Sequence, residues 1–363
     1  MKEIYVVFYK RNLEKGGGSE RRFLRLYNYI SNEYENMRIN FVTNEENQNT
    51  IYNFIDKNNS NIECHFIKQR NKYIDWYYFI DFFESNIDKI KDVHIISPNR
   101  CLFFLYFYLI KRQINLYLSV TSCTVAQGKF NRSILNRLMY NILIKKSLKI
   151  DWLYPYYETY WNKENVLNKS YVTPNSFTVF DNLNHLENKE NYIVFLGQLI
   201  DEKQPLMLLE AVNDIKETLI NKNWKVFIVG GGKLENKIKK YIQKNNLEDI
   251  VLMTYSIDNT ELLSKSKVFV SLQKHDNYPS QSLLEAINFE NIIVSTNVGN
   301  TKQILNENDS FLISNKDELS KCLNKIINGD TTIQAENLSR LKKEVMLKHN
   351  IKNAAVYLYN FLS

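Results

Sequence analysis

The sequence predicts an α/β protein of two domains, each built on a parallel sheet that helices cover on both faces. Its 363 residues are too many for one comfortable hydrophobic core. Short strand-like runs alternate with longer amphipathic runs, and the strand-like runs are nearly continuously apolar, as buried parallel strands are. These runs are IYVVF (4–8), RINFVT (38–43), DVHIIS (92–97), NLYLSV (115–120), YIVFLG (192–197), WKVFIVG (224–230), IVLM (250–253), KVFVSL (267–272) and NIIVST (291–296).

The helical runs between them and one break in the pattern set the domain boundaries. ERRFLRLYNYISNEY (20–34) and PLMLLEAVNDIKETLI (205–220) have apolar residues at helical spacing. The alternation stops at FTVFDNLNHLENKEN (177–191), a polar, Asn-rich stretch that is typical of a linker.

We therefore predict two Rossmann-like domains of similar size, an N-terminal one over 1–180 and a C-terminal one over 190–345. Apolar residues at helical spacing predict a last helix over 347–362. We expect 347–363 to return to the N-terminal domain.

The composition excludes several classes of protein. The four cysteines show no CxxC pairing, and the five histidines show no metal-ligand spacing. The longest apolar run, 101–110, is half of what a membrane span requires, and MKEIYVVFYK is a first strand rather than a signal peptide. We expect a cytoplasmic protein, with peripheral attachment at the inner face of the membrane left open.

The net charge of +7 is concentrated in one block. Between positions 100 and 150 the chain has no acidic residue and nine basic ones: Arg100, Lys111, Arg112, Lys129, Arg132, Arg137, Lys145, Lys146 and Lys149. Such a block favours an anionic partner, namely a lipid surface, a phosphorylated acceptor or a nucleic acid, although a solvated helix face is the usual alternative. The aromatic run 103–108 inside it is either a buried helix face or a membrane contact. No RNA-reading arrangement of aromatics is present, so nucleic acid is disfavoured.

Two glycine turns have the composition of a phosphate site. FYKRNLEKGGGSERRF ends a strand and places Gly16–Gly18 and Ser19 before a helix, where backbone N–H groups and the helix dipole favour an anion. VFIVGGGKLENKIKK has a similar turn at Gly230–Gly232. The next strand, DIVLMTYS, does not end on the carboxylate that an NAD site needs, so NAD chemistry is disfavoured. A purely structural turn remains the alternative for both.

A third loop, HDNYPSQSLLEA (275–286), leads from a strand into a helix that Pro279 can begin. Ser280, Gln281 and Ser282 then offer backbone and side-chain donors that suit a pyrophosphate. The carboxylate of Glu285 could accept two hydrogen bonds from a ribose diol. The alternative is a surface helix with an incidental Glu.

In this order, these segments resemble the retaining GT-B glycosyltransferases of family 4. The likeness is specific over 192–328, through VFLGQLIDEKQPLMLLEAV, VFIVGGGKLENKIKKYI and VFVSLQKHDNYPSQSLLEAINFENIIVSTNVGNTKQIL. It is looser in the N-terminal half, through IISPNRCLFF, SVTSCTVAQGKF and YVTPNSFT. The resemblance implies two Rossmann-like domains that face a central cleft, and sugar transfer from a nucleotide diphosphosugar.

The resemblance also implies residue roles. Lys203, Asp276 and Glu285 would be catalytic: Lys203 would neutralise the diphosphate, Asp276 would touch the sugar hydroxyls and Glu285 would bind the ribose. The donor site as a whole would comprise Gly17, Gly18, Gly197, Gln198, Lys203, Gly230, Thr254, Tyr255, Asn277, Tyr278, Pro279, Ser280, Gln281, Ser282 and Glu285, with the base along 254–257. The acceptor side would include Arg100, Thr121, Ser122 and Lys129.

The sequence departs from the family pattern at three points. Asp276 and Glu285 enclose eight residues instead of seven, Gln198 stands where an Arg is usual, and Thr121 and Ser122 stand where a His is often found. We expect a retaining, metal-independent and cofactor-free transferase. It would use a UDP-linked sugar and a glycan or lipid-linked acceptor in cell-surface polysaccharide synthesis, with the basic region 100–149 against an anionic membrane. The alternative is an inactive GT-B protein that binds a nucleotide sugar or glycan.

Overall fold

The computed structural model describes residues 1–11, 13, 18–71, 73–130, 133–174, 176–177, 189–256, 259–276, 280–329, 333 and 335–363. The chain divides into two compact units. Unit 1 comprises Met1–Pro174 and Ile351–Ser363, and unit 2 comprises Asn175–Asn350. The last segment of the chain therefore belongs to the same unit as the first.

Unit 1 contains a seven-stranded parallel sheet in the order β3-β2-β1-β4-β5-β6-β7. Its strands are β1 (Lys2–Val7), β2 (Met37–Asn44), β3 (Ile62–Ile67), β4 (Asp92–Ile96), β5 (Asn115–Val120), β6 (Lys149–Trp152) and β7 (Ser170–Val172). Its helices are α1 (Gly18–Glu33), α2 (Gln48–Ile51), α3 (Asp75–Ser85), α4 (Phe103–Lys111), α5 (Cys123–Ala126), α6 (Ile134–Lys146), α7 (Tyr157–Tyr160), α8 (Glu164–Leu167) and, from the end of the chain, α16 (Ile351–Leu362).

Unit 2 contains a six-stranded parallel sheet in the order β10-β9-β8-β11-β12-β13. Its strands are β8 (Glu190–Leu196), β9 (Lys225–Val229), β10 (Val251–Thr254), β11 (Ser266–Ser271), β12 (Ile292–Thr296) and β13 (Ser310–Ile313). Its helices are α9 (Pro205–Asp214), α10 (Lys216–Asn221), α11 (Glu235–Lys244), α12 (Thr260–Lys265), α13 (Gln281–Asn288), α14 (Lys316–Ile327) and α15 (Ala335–Lys348). The fold class predicted from the alternation of strands and helices is confirmed.

Each sheet is buried between helices, which is why its strands are apolar on both faces. In unit 1 the alternating side chains of β1, such as Tyr5 and Val7, pack with α3, α4 and α6 in one core. In unit 2 the strands pack against α9, α11 and α14 on one face and against α12, α13 and α15 on the other. The cores fix where the loops at the strand ends lie.

A buried polar network attaches α16 to unit 1. The carboxylate of Asp151 accepts hydrogen bonds from Ser119 Oγ at 2.9 Å, Thr173 Oγ1 at 2.6 Å and Tyr357 OH at 2.7 Å. Ser119 Oγ is also 2.8 Å from Nε2 of His94, and burial lowers the pKa of this imidazole to about 3. The expected return of the last helix to the N-terminal half is therefore confirmed, with Ser119 of β5, Thr173 just after β7 and Tyr357 of α16 bonded to the buried carboxylate of Asp151 on β6.

The structure differs from the sequence-based elements in several places. Our sequence analysis did not predict the strands β3, β6, β7 and β13. Helix 205–220 is interrupted at Ile215, between α9 and α10, and the segment before position 351 is a separate helix, α15. Most of the predicted linker 177–191 lies outside the described residues. None of the helices in the described ranges combines the length and apolarity needed to cross a bilayer.

Candidate functional site

The order of strands in unit 2 places a crevice between β8 and β11. The chain winds outward from β8 in both directions, so the loops after these two neighbouring strands diverge at their carboxyl ends. Ligands of open parallel sheets bind at such a reversal of strand order. The predicted residues Lys203, Asp276, Ser280 and Glu285 all follow β8 or β11, so the fold brings these two groups to the same edge of the sheet.

The carboxyl ends of β8, β9 and β10 approach one another through backbone alone. Gly197 N donates to the carbonyl of Val229 at 3.0 Å, and Gly230 N donates to the carbonyl of Thr254 at 3.1 Å. Gly230 has φ +139°, and a Cβ there would lie 2.0 Å from the carbonyl oxygen of Gly197. Glycine at 230 is therefore required by the close approach of two strand ends, which accounts for the GGG turn without a ligand.

Lys203 is a half-buried cation on the short 3-10 turn Asp201–Lys203 that follows β8. Burial lowers the pKa of its ammonium group to about 8. Among the described residues, no carboxylate or hydrogen-bond acceptor contacts this ammonium group. Its neighbour Asp201 is instead paired with Lys233 at 3.3 Å. An uncompensated positive charge in a buried position favours an anionic ligand.

A second half-buried lysine, Lys189, shows which hydrogen-bond acceptors a lysine with a structural role has. Burial also lowers the pKa of Lys189 to about 8. Its Nζ donates to the carbonyls of Ser266 at 2.8 Å and Phe289 at 2.6 Å. Lys189 therefore attaches the start of β8 to two neighbouring segments. Among the described residues, the ammonium group of Lys203 has no such acceptor.

The loop after β11 is attached directly to the turn that carries Lys203. Lys274 N donates to the carbonyl of Glu202 at 2.9 Å. Gln273 N donates to Thr296 Oγ1 at 2.8 Å, which attaches the same loop to the end of β12. These bonds attach the start of the loop to the Lys203 turn and to the end of β12.

The N-terminus of α13 presents donors without a side-chain cap. Ser280 is the N-cap residue and is buried, but its hydroxyl caps no backbone N–H and lies 3.1 Å from Ser282 Oγ. Nε2 of Gln281 is buried and has no hydrogen-bond partner in the described residues. Glu285 lies one turn after Gln281, on the same face of the helix and half-buried. Uncapped N–H groups and an unsatisfied amide suit an anion with further hydrogen-bonding groups.

Asp276 is held by the turn that follows β12. Asn300 donates to its carboxylate twice, from N to Oδ1 at 3.2 Å and from Nδ2 to Oδ2 at 2.8 Å. Gly299 has φ +55°, and a Cβ there would lie 2.4 Å from Asp276 Cβ. Our sequence analysis did not single out Gly299 or Asn300, although a Gly-Asn pair just after a strand is a turn signal.

The remaining predicted donor residues divide between described and undescribed positions. Tyr255 is exposed, and a Cβ on Gly231 would be 3.9 Å from its ring. Gln198 is exposed beside the β8 end. Gly17, Asn277, Tyr278 and Pro279 lie outside the described residues, as do Gly16 and Ile257.

The predicted acceptor-side residues, together with Gly18, lie in unit 1. Gly18 begins α1, and Thr121 Oγ1 is 2.9 Å from Ser97 Oγ at the carboxyl ends of β4 and β5. Ser122 caps α5 by accepting from Val125 N at 3.4 Å. Arg100 and Lys129 are exposed. Within the described parts of the chain, no group of three His, Cys, Asp or Glu side chains is arranged to hold a metal ion.

The region that contains these donor-site residues of unit 2 is similar to a known family. Residues 179–345 match the family model described as Glycosyl transferases group 1. This segment is similar to the glycosyl transferases group 1 family. The group 1 segment begins before β8 and ends within α15, so it includes Lys203, Asp276, the N-terminus of α13 and Glu285. The narrower assignment to family 4 stays a prediction.

Two curated relatives match part of the chain. A protein of Campylobacter jejuni is 28% identical over 147 residues, 39% of this chain and 40% of its own length. It is named GalNAc-alpha-(1->4)-GalNAc-alpha-(1->3)-diNAcBac-PP-undecaprenol alpha-1,4-N-acetyl-D-galactosaminyltransferase. An uncharacterized glycosyltransferase of Methanocaldococcus jannaschii is 24% identical over 200 residues, 51% of this chain and 54% of its own length. The chain thus spans about half or less of the curated relatives it matches.

Solved structures match along the whole chain. Anabaena HepE in complex with UDP and glucose aligns with a TM-score of 0.75 at 11% identity, over 100% of this chain and 99% of that one. A mutant of S. aureus TarM in complex with Fondaparinux, alpha-GlcNAc-glycerol and UDP aligns with a TM-score of 0.73 at 14% identity, over 100% of both chains. At these identities the likeness shows the fold, which is GT-B.

Proposed function

We propose that this chain transfers a sugar from a UDP-linked donor to a hydroxyl of a glycan or lipid-linked acceptor, with retention of anomeric configuration. The observation that carries the proposal is Lys203, a half-buried ammonium group for which the described residues supply no counterion, beside the crevice of the segment that matches the group 1 family. A nucleotide diphosphate supplies the missing negative charge. The names of the similar proteins support UDP, since HepE and TarM are described in complex with it.

The donor contacts in this proposal follow from the chemistry of each group. Lys203 and the uncapped N–H groups of the first turn of α13 stabilise the diphosphate. Gln281 Nε2, which is buried without a partner in the described residues, adds a neutral donor to the same region. Glu285 accepts two hydrogen bonds from the ribose hydroxyls, and the carboxylate of Asp276 accepts a hydrogen bond from a hydroxyl of the sugar.

The reaction in this proposal needs no group beyond donor and acceptor. The bond between the anomeric carbon and the phosphate oxygen breaks, and negative charge builds on the leaving UDP. Lys203 and the end of α13 stabilise that charge as it develops. The acceptor oxygen forms a bond to the anomeric carbon on the face from which UDP departs, and an oxygen of the departing phosphate takes the proton of that hydroxyl. Attack on the same face preserves the configuration. We propose a metal-independent reaction because no DxD pair precedes the site in the sequence.

The acceptor and the location of the enzyme are further parts of the proposal. The curated relative from C. jejuni is named for an acceptor that carries PP-undecaprenol. That name supports a glycan carried on a lipid, and hence work at the inner face of a membrane in cell-surface polysaccharide synthesis. The basic region 100–149 would then lie against anionic lipid.

Calorimetric titration of UDP and a panel of nucleotide diphosphosugars, followed by turnover assays with and without a chelator, tests the proposal. We expect UDP to bind, and Lys203→Met to weaken binding about tenfold or more because a charge-assisted contact is lost. Lys222→Met is the matched control, since Lys222 is an exposed lysine of unit 2 whose hydrogen bonds to Thr218 and Asn191 are made by its backbone atoms. Intact donor turnover in both Lys203→Ala and Glu285→Ala would contradict the proposal. Donor binding without turnover would favour the inactive binding module, which the eight-residue spacing and Gln198 also suggest.

A further inference from the structure

Three helices of unit 1 lie side by side with their N-terminal turns at the same edge of the sheet. The ring of Trp76 in α3 lies 4.8 Å from the ring of Phe104 in α4, and Tyr140 of α6 donates to the carbonyl of Pro98, just before α4. Arg112, after the end of α4, pairs with Glu84 near the end of α3. Helices that connect parallel strands run antiparallel to them, so the N-terminal turns of α3, α4 and α6 gather at the carboxyl edge.

Large apolar side chains are exposed at these N-terminal turns. Ile134 is 77% exposed, Tyr73 71%, and Phe104 and Phe107 55% each. Together with their exposed neighbours they form what we name the apolar edge patch: Tyr73, Ile74, Tyr77, Phe104, Phe107, Ile134, Leu135 and Leu138. In the described residues of unit 2, four large apolar side chains are exposed, namely Ile220, Leu252, Tyr255 and Leu347, and they lie on four different segments or strand ends. Single exposed residues are ordinary, whereas a contiguous set marks a contact surface.

The exposed side chains of the apolar edge patch on α4 lie on a different face of that helix from the side chains that pack in the core. In α4 the core contacts are made by Leu105, Tyr106 and Leu109, all of which are buried. Phe104 and Phe107 stand on the other side of the same helix. A helix on a soluble domain needs one apolar face, so a second apolar face needs a second partner.

The charge around the patch has one sign. Segments 68–78, 98–108 and 121–140 contain seven Lys or Arg residues and one acidic residue, Asp75. Asp75 is buried and accepts hydrogen bonds from Tyr9 OH and from the N–H groups of Arg70 and Asn71. The described basic residues of these segments are all exposed: Lys68, Arg70, Arg100, Lys129 and Arg137. The exposed acids of α3, Asp81 and Glu84, lie in the second half of that helix.

We propose that the apolar edge patch docks unit 1 on the surface of an anionic lipid bilayer. Aromatic and branched side chains enter the interfacial region while Lys and Arg around them contact lipid phosphates. A second copy of the chain fits less well, because a self-complementary contact would place the same basic residues against each other. The inference deepens the proposed function and rests on it in one respect: a lipid-linked acceptor is what would make docking useful.

Vesicle co-sedimentation of the full chain tests the docking surface. We expect binding to vesicles of mixed phosphatidylcholine and phosphatidylglycerol, little binding to phosphatidylcholine alone, and loss of binding as salt rises. Phe104→Ser with Phe107→Ser should weaken partitioning about tenfold or more, and so should Lys68→Glu with Arg137→Glu. The matched controls, Ile220→Ser and Lys237→Glu with Lys240→Glu, change exposed residues of unit 2 and should leave partitioning unchanged.

UDP binding measured on the same samples separates the two proposals. All four variants should bind UDP as the unmodified protein does. Absence of binding to anionic vesicles, or equal binding by all variants, would overturn the membrane surface even if UDP binds and turns over. A dimer in light scattering that the Phe104→Ser and Phe107→Ser changes dissociate would assign the patch to a protein contact instead. Normal vesicle binding without any UDP binding would leave the surface in place and refute the proposed function.

Discussion

Lys203 illustrates how a single residue can favour ligand binding over stability. A lysine whose folded-state pKa is lowered to about 8 by burial is held in its charged form at neutral pH against the preference of its surroundings. In the unfolded chain the same group keeps its ordinary pKa of 10.5. Below about pH 8 the folded protein therefore bears the full cost of a buried charge, and a ligand phosphate would relieve it.

Replacement of Lys203 by Met should stabilise the protein without ligand. We expect the free energy of unfolding to rise by about 1–3 kcal/mol near neutral pH, because the cost of the buried charge disappears. Between about pH 8 and 10.5 the unfolded chain binds more protons than the folded one, so the unmodified protein gains stability as pH rises and the difference shrinks. Denaturant unfolding of both proteins across this range measures the effect.

Lys189→Met is the control for that experiment. Lys189 has a similarly lowered pKa, but its ammonium group donates to two carbonyl oxygens, which would lose their donor. This variant should therefore be less stable than the unmodified protein. If Lys203→Met behaved in the same way, Lys203 would be a structural lysine.

The affinity for UDP should fall as pH rises through the pKa of Lys203. A bound diphosphate favours the charged ammonium group and raises its pKa, so binding takes up a proton between about pH 8 and 10. Calorimetry in two buffers of different ionisation enthalpy measures this uptake. In Lys203→Met the uptake should vanish, and an unchanged value would show that another group titrates.

At the scale of elements, the loops after β11 and β12 act together through Asp276 and Gly299. Gly299→Ala would place a Cβ 2.4 Å from Asp276 Cβ at a φ of +55°. We expect a loss of about 1–2 kcal/mol from the backbone conformation, and in addition weaker donor binding because Asp276 and the loop before α13 must shift. Gly329→Ala is the matched control: its φ is +79°, but a Cβ there meets nothing within 4 Å. Equal donor affinity in the two variants would show that the Asp276 clamp does not position the site.

The sequence is informative about these elements to different degrees, for physical reasons. Strands that are buried on both faces, such as β8, β9 and β11, are visible as continuous apolar runs. Strand β3 has the sequence IECHFI, in which Glu63 and His65 point to a partly exposed side at the edge of the sheet, and β7 has only three residues. Neither has a pattern that distinguishes it from a loop.

The candidate site was predictable where a local signal exists and not where it depends on packing. A helix after this loop and the position of Glu285 follow from one short segment and a family resemblance, although α13 begins at Gln281 and Pro279 lies outside the described residues. The hydrogen bonds from Asn300 to Asp276 join residues 24 positions apart, and the absence of a counterion for Lys203 among the described residues follows from burial. No residue pattern expresses either property.

At the scale of the whole molecule, unit 1 is discontinuous, since it combines the first 174 residues with the last 13, Ile351–Ser363. Helix α16 packs on α1, and the ammonium group of Lys2 contacts the carbonyl of Leu362. The first strand and the last helix thus complete each other. Unit 1 cannot reach its final structure before Ile351–Ser363 has been made.

Tyr357→Phe should destabilise unit 1 and leave unit 2 unaffected. It removes one of three side-chain donors to the buried carboxylate of Asp151 and weakens the attachment of α16, at a cost of about 1–3 kcal/mol. Tyr359→Phe is the control on the same helix, because its hydroxyl bonds to Asn36 at an exposed position and should contribute less.

Denaturant unfolding gives the stabilities, and UDP titration reports on unit 2. Because Lys203, Glu285 and the N-terminus of α13 all belong to unit 2, the UDP affinity of Tyr357→Phe should equal that of the unmodified protein. Loss of UDP binding in Tyr357→Phe alone would show instead that α16 and the donor site are energetically coupled.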